Sequence, residues 1–224
     1  MKNATIAVIT GDLVNSSQFS HTRLQAIIQR LKNEFETIQS EKRANRITFT
    51  MFRGDSFQGI VEDPCEALQI SLQIKALINS FNDSGEVAGN TVPIADVRIS
   101  IGIGEASYDL DAINVSNGEA FQFSGRTLDS MKAEHVKMAL RTVNAQINDE
   151  FRVHMKFLDS ITDRWSMASA EVVYFLLKRY KERQIAQKLN RSQAAINHRK
   201  KAAGWDEIQL LFDRYEQVIK KQFV

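Results

Sequence analysis

The spacing of apolar residues divides the chain into a part with strands and helices and a later part with helices alone. Apolar runs rich in β-branched residues predict strands at 3–10, 47–53, 56–62, 97–104 and 135–143. Apolar positions three and four residues apart predict helices at about 20–40, after Pro64 and at 118–132. Helices inserted between strands at this rhythm predict an α+β fold, a ferredoxin-like and largely antiparallel sheet with helices on one face.

From about residue 144 every apolar repeat is helical, which predicts a small all-α part after the sheet. We place the domain boundary by composition, with one domain at 1–145 and a helical domain at 146–224. Charge changes at nearly the same place. Residues 1–150 carry 14 Lys/Arg and 19 Asp/Glu, whereas residues 151–224 carry 15 and 8. The basic second part therefore favours a polyanion, such as nucleic acid, as its partner.

Two aspartates, each preceded by glycine, lie where predicted strands end. Asp12 follows Gly11 after the first strand, and Asp55 follows Gly54 in the predicted hairpin between the second and third strands. Two carboxylates on neighbouring strands can share a divalent cation, and such hard oxygen ligands favour Mg²⁺ together with a polyphosphate. Either Gly-Asp pair alone is also explained as a turn, and Asp12 as a helix cap.

The motifs around these aspartates resemble those of the SatD-like family of small bacterial proteins, within the superfamily of class III nucleotide cyclase domains. The resemblance covers residues 3–140 and is carried by Gly11-Asp12-Leu13-Val14-Asn15-Ser16, by Gly54-Asp55-Ser56-Phe57-Gln58, by the strand 98–104 and by a helix containing Gly118 and Arg126. It implies that Asp12 and Asp55 hold Mg²⁺ and that the loop of Leu13, Val14, Asn15 and Ser16 binds phosphate.

The resemblance also implies a homodimer, because cyclase sites form between two head-to-tail subunits. Gln122 and Arg126 match the amide and arginine that cyclases place opposite the aspartates of the other subunit, where they orient the ribose and stabilise charge. Two departures count against turnover. Glutamine replaces the asparagine at 122, and the stretch 49–52 lacks the lysine that selects adenine.

Residues 183–205 resemble a helix-turn-helix of the kind found in sigma-region and LuxR-like regulators. Ser192 is the predicted cap of the second helix, and Ile196 is expected to pack back on Ile185 and Leu189. The residues expected to contact DNA are Arg191, Gln193, Asn197, His198, Arg199, Lys200 and Lys201. The alternative is a short helical hairpin with a solvated basic face.

Composition restricts the compartment and the chemistry. A single cysteine, Cys65, excludes an internal disulfide, and no apolar stretch is long enough to cross a bilayer, so we expect a cytoplasmic protein. The leading hypothesis is a transcription regulator that joins a cyclase-like nucleotide- or phosphate-binding domain to a DNA-binding helix-turn-helix. Its rivals are a Mg²⁺-dependent nucleotidyl cyclase or related phosphoryl-transfer enzyme, and a degenerate domain used as a scaffold.

Overall fold

The computed structural model describes residues 1–41, 47–52, 54–83, 89 and 91–224. Six strands and eight helices lie in these ranges. The strands are β1 (Lys2–Leu13), β2 (Ile47–Phe52), β3 (Ser56–Val61), β4 (Val97–Tyr108), β5 (Asn117–Gly118) and β6 (Met138–Thr142). The helices are α1 (His21–Glu41), α2 (Ala67–Asn79), α3 (Glu119–Glu134), α4 (Ala145–Thr162), α5 (Met167–Leu177), α6 (Glu182–Lys188), α7 (Gln193–Ala202) and α8 (Trp205–Phe223).

The six strands form one sheet with β1 at its centre. The strand order is β2-β3-β1-β4, and all of these neighbours are antiparallel. The outer side of β4 is shared, because β6 pairs in parallel with its first half and β5 pairs with residues 106–107 of its second half. This order and direction follow from two strand–helix–strand connections, β1-α1-β2 and β3-α2-β4, which together give the ferredoxin-like arrangement.

Alternation along the strands gives the two faces of the sheet different cores. Ile9 of β1, Phe57 of β3 and Ile101 of β4 belong to the large cluster on the side of α1 and α2. Ile6 and Val8 of β1 belong instead to a smaller cluster that includes Ala120 of α3. The α+β prediction is therefore confirmed, and α3 adds a helix on the second face to those expected on the first.

The helices after residue 145 pack on the same side as α1 and α2. Twelve of the thirteen residues of α2 are buried, because the sheet covers one side of this helix and α5 and α8 cover the other. One hydrophobic cluster accordingly runs from Ile9 of β1 to Ile219 of α8. The predicted boundary at 145 coincides with the start of α4, and the core is continuous across it.

A network of charges, buried at one end and exposed at the other, also joins the two parts. The Lys75 side chain of α2 is fully buried, and its Nζ lies 2.6 Å from Oδ1 of Asp96, whose other oxygen lies 2.8 Å from Nζ of Lys137. Lys137 Nζ also contacts Asp163, the residue that follows α4, at 2.7 Å. Burial alone would raise the pKa of Asp96, but Lys75 and Lys137 outweigh it and lower that pKa to about 2.

The strand and helix predictions hold, with shifted ends. β1 extends to Leu13 and β4 to Tyr108, and the last strand is the shorter Met138–Thr142. Arg53, predicted as the end of the second strand, and residues 84–88 and 90 of the predicted loop 82–93 lie outside the described residues. Within the described ranges, no helix combines the length and hydrophobicity needed to span a membrane.

Candidate functional site

Asp12 lies at the end of the central strand, between two neighbours that reach it across the sheet. The strand register places Ser56 of β3 on one side and Arg98 of β4 on the other. Arg98 donates two hydrogen bonds to the Asp12 carboxylate, Nε to Oδ1 at 2.9 Å and Nη2 to Oδ2 at 2.6 Å. This bidentate pair raises the pKa of the Arg98 guanidinium and fixes the carboxylate in one orientation.

Asp55 is brought to the same end of the sheet by the turn between β2 and β3. The turn requires Gly54, whose φ of +85° is a conformation that residues with a side chain rarely adopt. The Asp55 carboxylate accepts hydrogen bonds from Ser16 Oγ at 2.5 Å and Ser56 Oγ at 3.3 Å, and Arg98 attracts it electrostatically. We call Asp12, Asp55, Ser16, Ser56 and Arg98 the aspartate cluster.

The loop after β1 contacts the aspartate cluster, and only its first backbone N–H groups donate hydrogen bonds within the described part of the fold. The Leu13 N–H donates to the backbone oxygen of Asp55, and the Val14 N–H donates to that of Asp96, so neither is available to a ligand. The Leu13 side chain is buried in the core. Among the described residues, the N–H groups of residues 15–17 have no acceptor, and Asn15 adopts a left-handed conformation with φ of +54°. The N–H groups of Leu13 and Val14 are thus already bonded within the fold, and the expected phosphate contacts of Asn15 and Ser16 stay predictions.

The donor set of the aspartate cluster fits a metal only together with a ligand. No group of three or more His, Cys, Asp or Glu side chains that could hold a metal occurs in the part of the chain that the structure describes. Two carboxylates and one arginine leave a net charge of −1. Mg²⁺ is commonly held by one or two carboxylates, with phosphate oxygens and water completing its octahedron. The residues present therefore suit a magnesium–phosphate ligand better than an isolated ion.

A line of small polar side chains continues from the cluster along the second face of the sheet. Gln58 Nε2 donates to Thr10 Oγ1 at 3.2 Å, and Thr10 Oγ1 donates to Ser124 Oγ of α3 at 2.9 Å. Neither this line nor the role of Arg98 is among the predicted site residues. The signal for Thr10 in the sequence is alternation, because it precedes Asp12 by two residues in the same strand and so lies on the same face.

Gln122 and Arg126 lie away from the aspartate cluster of their own chain. Both are exposed on α3, where they line a cleft between α3, β6 and α4 with a volume of about 830 Å³. None of the residues that line this cleft belongs to the aspartate cluster. A single chain therefore does not bring together the two halves of the predicted site.

The segment 183–205 forms two short helices, α6 and α7, joined by a tight turn. Ile185, Leu189 and Ile196 pack together with Val172 of α5, as the sequence predicts. The turn contains Asn190 in a left-handed conformation, and the Ser192 side chain accepts a hydrogen bond from the Ala195 N–H at 3.2 Å, which caps α7.

The side chains predicted to contact DNA fall into two groups. Four of them are exposed, Arg191, Gln193, His198 and Lys201, and Asn197 is half-buried. Arg199 and Lys200 are half-buried as well. Arg199 has a buried Nη1, and burial together with nearby Arg191 lowers its pKa. Lys200 Nζ contacts Glu182 Oε1 at 3.1 Å. Lys200 is therefore paired within the chain, and the expected phosphate contacts of Arg199 and Lys200 stay predictions.

Comparison with solved structures finds nucleotide cyclase domains. One is the guanylyl cyclase domain of the RhoGC fusion protein from the aquatic fungus Blastocladiella emersonii, with 20% identity, a TM-score of 0.43 and coverage of 58% of this chain and 76% of that chain. Another is a bacterial light-regulated adenylyl cyclase, with 14% identity, a TM-score of 0.47 and coverage of 62% and 77%. The adenylyl cyclase CyaB from P. aeruginosa gives 15% identity, a TM-score of 0.42 and coverage of 58% and 73%.

No curated protein sequence matches the chain. The family model of the SatD family, in contrast, matches residues 5–218. Because this match includes the sheet with its aspartate cluster as well as the C-terminal helices, the chain belongs to the SatD family.

Proposed function

We propose that this protein is a transcription regulator that binds a nucleotide or another phosphate ligand with Mg²⁺ at the aspartate cluster, and binds DNA through α6 and α7. The observation that carries the proposal is the joining of Asp12 and Asp55 in one cluster beside the loop 13–17. These are the two strand-end aspartates whose motifs resemble those of class III cyclases.

The aspartate cluster has the chemistry that a magnesium–phosphate ligand needs. Asp12 and Asp55 supply carboxylate oxygens for the metal, and the N–H groups of residues 15–17 point from a turn that contains a left-handed residue, an arrangement that favours anions. Bound Mg²⁺ would neutralise charge on the phosphate. Arg98 keeps Asp12 oriented, and its charge offsets part of the repulsion between the two carboxylates and an incoming anion.

Dimerisation is part of the same proposal. Gln122 and Arg126 line a cleft that contains no residue of the aspartate cluster of their own chain. A head-to-tail homodimer of the kind that the cyclase resemblance implies would place them against the partner's cluster. Arg126 suits this role, because it is exposed and has no ion-pair partner among the described residues.

DNA binding is supported by the surface of α7. Gln193, His198 and Lys201 are exposed along this helix, and glutamine side chains can pair with adenine edges in the major groove. Residues 151–224 carry 15 Lys/Arg against 8 Asp/Glu, so the field of this part attracts a polyanion.

The second candidate function is a Mg²⁺-dependent nucleotidyl cyclase or related phosphoryl-transfer enzyme. Arg126 favours it, because an unpaired guanidinium is suited to stabilising charge on a transferring phosphate. Gln122 in place of asparagine and the absence of lysine in 49–52 count against it.

Thermal unfolding with ligand tests the phosphate site. We expect one of ATP, GTP, CTP and UTP to raise the unfolding midpoint in the presence of Mg²⁺, since a ligand of the native state stabilises it by mass action. Asp12→Asn and Asp55→Asn should abolish the shift, whereas Asp129→Asn on the exposed surface of α3 should retain it. Equal shifts in all of these variants would refute the site, and conversion of the nucleotide to product would favour the enzyme.

Selection from a library of random duplex DNA tests the second half of the proposal. We expect a preferred sequence to emerge and to lose affinity in Gln193→Ala and His198→Ala, while the exposed Lys221→Ala on α8 binds it normally. Failure to enrich any sequence would remove DNA binding from the proposal without affecting the phosphate site.

A further inference from the structure

Gln58 of β3 lies beside the aspartate cluster on the second face of the sheet. In the strand register Ser56 lies opposite Asp12, and Gln58 follows Ser56 by two residues on the same face. Two residues of a strand span about 7 Å. In a nucleotide, the sugar separates the base from the nearest phosphate by a similar length. A nucleotide whose phosphates bind at Asp12 and the loop 13–17 can therefore bring its base to Gln58.

Two hydroxyl groups fix the orientation of the Gln58 amide. Ser124 Oγ donates to the backbone oxygen of Phe121 at 3.2 Å, and this direction is fixed because a carbonyl oxygen only accepts. The Ser124 hydroxyl has thus used its proton, and it accepts from Thr10 Oγ1 at 2.9 Å. Thr10 has then used its own proton, so it accepts from Gln58 Nε2 at 3.2 Å. The amide nitrogen of Gln58 is thereby turned toward Thr10, and its Oε1 is turned away.

The Gln58 amide keeps hydrogen-bonding groups that the fold does not use. Among the described residues, neither Oε1 nor the second N–H of Nε2 has a partner, and Oε1 remains accessible to solvent. The Gln58 side chain is half-buried, as are Thr50 and Phe52 on the same face of β2. On β4, which α3 covers, the Ser100 side chain is fully buried instead. Gln58 therefore presents a hydrogen-bond acceptor beside a donor where a ligand can reach them.

We propose that Gln58 recognises the base of the nucleotide that binds at the aspartate cluster, with Oε1 accepting from the base and Nε2 donating to it. The inference rests on the proposed nucleotide site and concerns the part of the ligand that the aspartates do not contact. An acceptor beside a donor matches the edge of a nucleobase, as in the bidentate pairing of glutamine with adenine. Gln58 thus supplies base recognition to a chain that lacks lysine in the stretch 49–52.

A contact of this kind discriminates between ligands because the unused groups of the amide are already oriented. A site that is built to pair with a polar group rejects a ligand that leaves its own donor and acceptor unpaired. Thr10 and Ser124 do not contact the ligand in this arrangement. They are positioning residues, since they act by holding the Gln58 amide in one orientation.

Binding of triphosphates with and without a base tests Gln58 separately from the phosphate site. The probes, each with Mg²⁺, are ATP, GTP, CTP, UTP and ribose 5-triphosphate, which has no base. We expect the parent to bind one nucleotide more tightly than ribose 5-triphosphate. Gln58→Met has a side chain of similar length without an amide, so it should weaken the preferred nucleotide at least tenfold and leave ribose 5-triphosphate unchanged. Gln209→Met, at an exposed position of α8, should change neither affinity. Titration calorimetry measures both.

Thr10→Val tests whether the hydroxyl groups orient the amide. Valine keeps the shape of the side chain and removes the hydroxyl, so the Gln58 amide is free to rotate. We expect a loss of affinity for the preferred nucleotide that is smaller than in Gln58→Met, again with ribose 5-triphosphate unchanged. Combined with Gln58→Met, Thr10→Val should have no further effect, because Thr10 acts through Gln58.

The possible failures of the two proposals can be told apart. Equal nucleotide affinities of the parent and Gln58→Met would overturn base recognition and leave the phosphate site in place. An equal loss for ribose 5-triphosphate in Gln58→Met would also overturn it, because Gln58 would then act on the phosphates or on the fold. A parent that binds none of the five probes would refute the proposed nucleotide site, and base recognition with it.

Discussion

Lys75 and Lys200 both form ion pairs, yet they lie in regions of the molecule that use charge differently. Lys75 is fully buried between the sheet and the later helices, and its pair with Asp96 belongs to a network that continues through Lys137. Lys200 pairs with Glu182 near the surface of the α6–α7 hairpin, where its side chain is 23% exposed. A buried charge must be paired for the fold to form, whereas a surface pair contributes little to stability and can be exchanged for another partner.

The same contrast separates the two candidate binding regions. The aspartate cluster is built into the strand register, so Asp12 and Arg98 are positioned by the sheet itself. The α7 surface is a single short helix whose exposed side chains have few fixed partners. We therefore expect substitutions in the first region to affect stability and binding together, and substitutions at the exposed positions of α7 to affect binding alone.

The largest effect that distinguishes the regions is expected for Lys75→Ala. Removing this cation leaves Asp96, whose side chain is 21% exposed, with one cationic partner fewer, which should lower the free energy of unfolding by about 3–5 kcal/mol. Lys75→Met fills the same space without a charge. Its free energy of unfolding should therefore exceed that of Lys75→Ala by the part of the loss that comes from packing. Urea denaturation of the three proteins measures both values. A loss below about 1 kcal/mol for Lys75→Ala would contradict the assignment of this network to the fold.

A smaller effect, with a defined pH dependence, is expected at Asp159 of α4. Burial raises the pKa of this carboxyl from 3.8 to about 6, although its Oδ2 accepts a hydrogen bond from the Lys137 N–H and Lys75 and Lys137 favour its charged form. Between pH 3.8 and 6, Asp159 is therefore protonated in the folded chain but already ionised in the unfolded chain. The stabilisation that this proton gives the folded chain is complete below pH 3.8 and is lost as the pH rises through 6.

Asp159→Asn removes this titration and keeps an oxygen that can accept from Lys137. Above pH 6 the variant should consequently be more stable than the parent by about 1–3 kcal/mol, and the difference should shrink toward pH 4. Thermal or urea unfolding at pH 4, 6 and 8 measures it. A difference that does not vary with pH would show that Asp159 is ionised throughout this range in the folded chain.

The sequence predicts the elements of this fold well because each strand and helix carries its own period. The alternation in Val97–Tyr108 and the three- and four-residue spacing in Ala145–Thr162 are local signals, so they survive without knowledge of the tertiary structure. The ends of β1 and β4 are less predictable, because their extension depends on pairing with each other across the whole of their length.

Site residues are predicted less completely, since they depend on contacts between distant segments. Asp12 and Asp55 are visible from their motifs, but the pairing of Asp12 with Arg98, 86 positions away, follows only from strand register. The same limit applies to Arg199 and Lys200. As sequence they are two cations on a basic helix, and only packing shows that Lys200 meets Glu182 and that part of Arg199 is buried.

The smallest effects are expected from the neighbouring residues Lys200 and Lys201, which offer the most direct test of the contrast within one helix. Lys200→Ala breaks the pair with Glu182 and should lower the free energy of unfolding by at most about 1 kcal/mol. Lys201→Ala, at an exposed position, should not change this free energy.

For affinity toward a fixed DNA duplex, Lys201→Ala should have the larger effect of the two, because a phosphate contact requires a cation without a closer partner. Lys201→Ala should reduce the slope of log K against log salt concentration by about 1, and Lys200→Ala should leave that slope unchanged. Fluorescence anisotropy at several salt concentrations measures both slopes. An equal reduction in the two variants would mean that the Lys200–Glu182 pair opens when DNA binds. Lys200 would then contribute both to the stability of the free protein and to DNA binding, which would contradict the contrast between the two lysines.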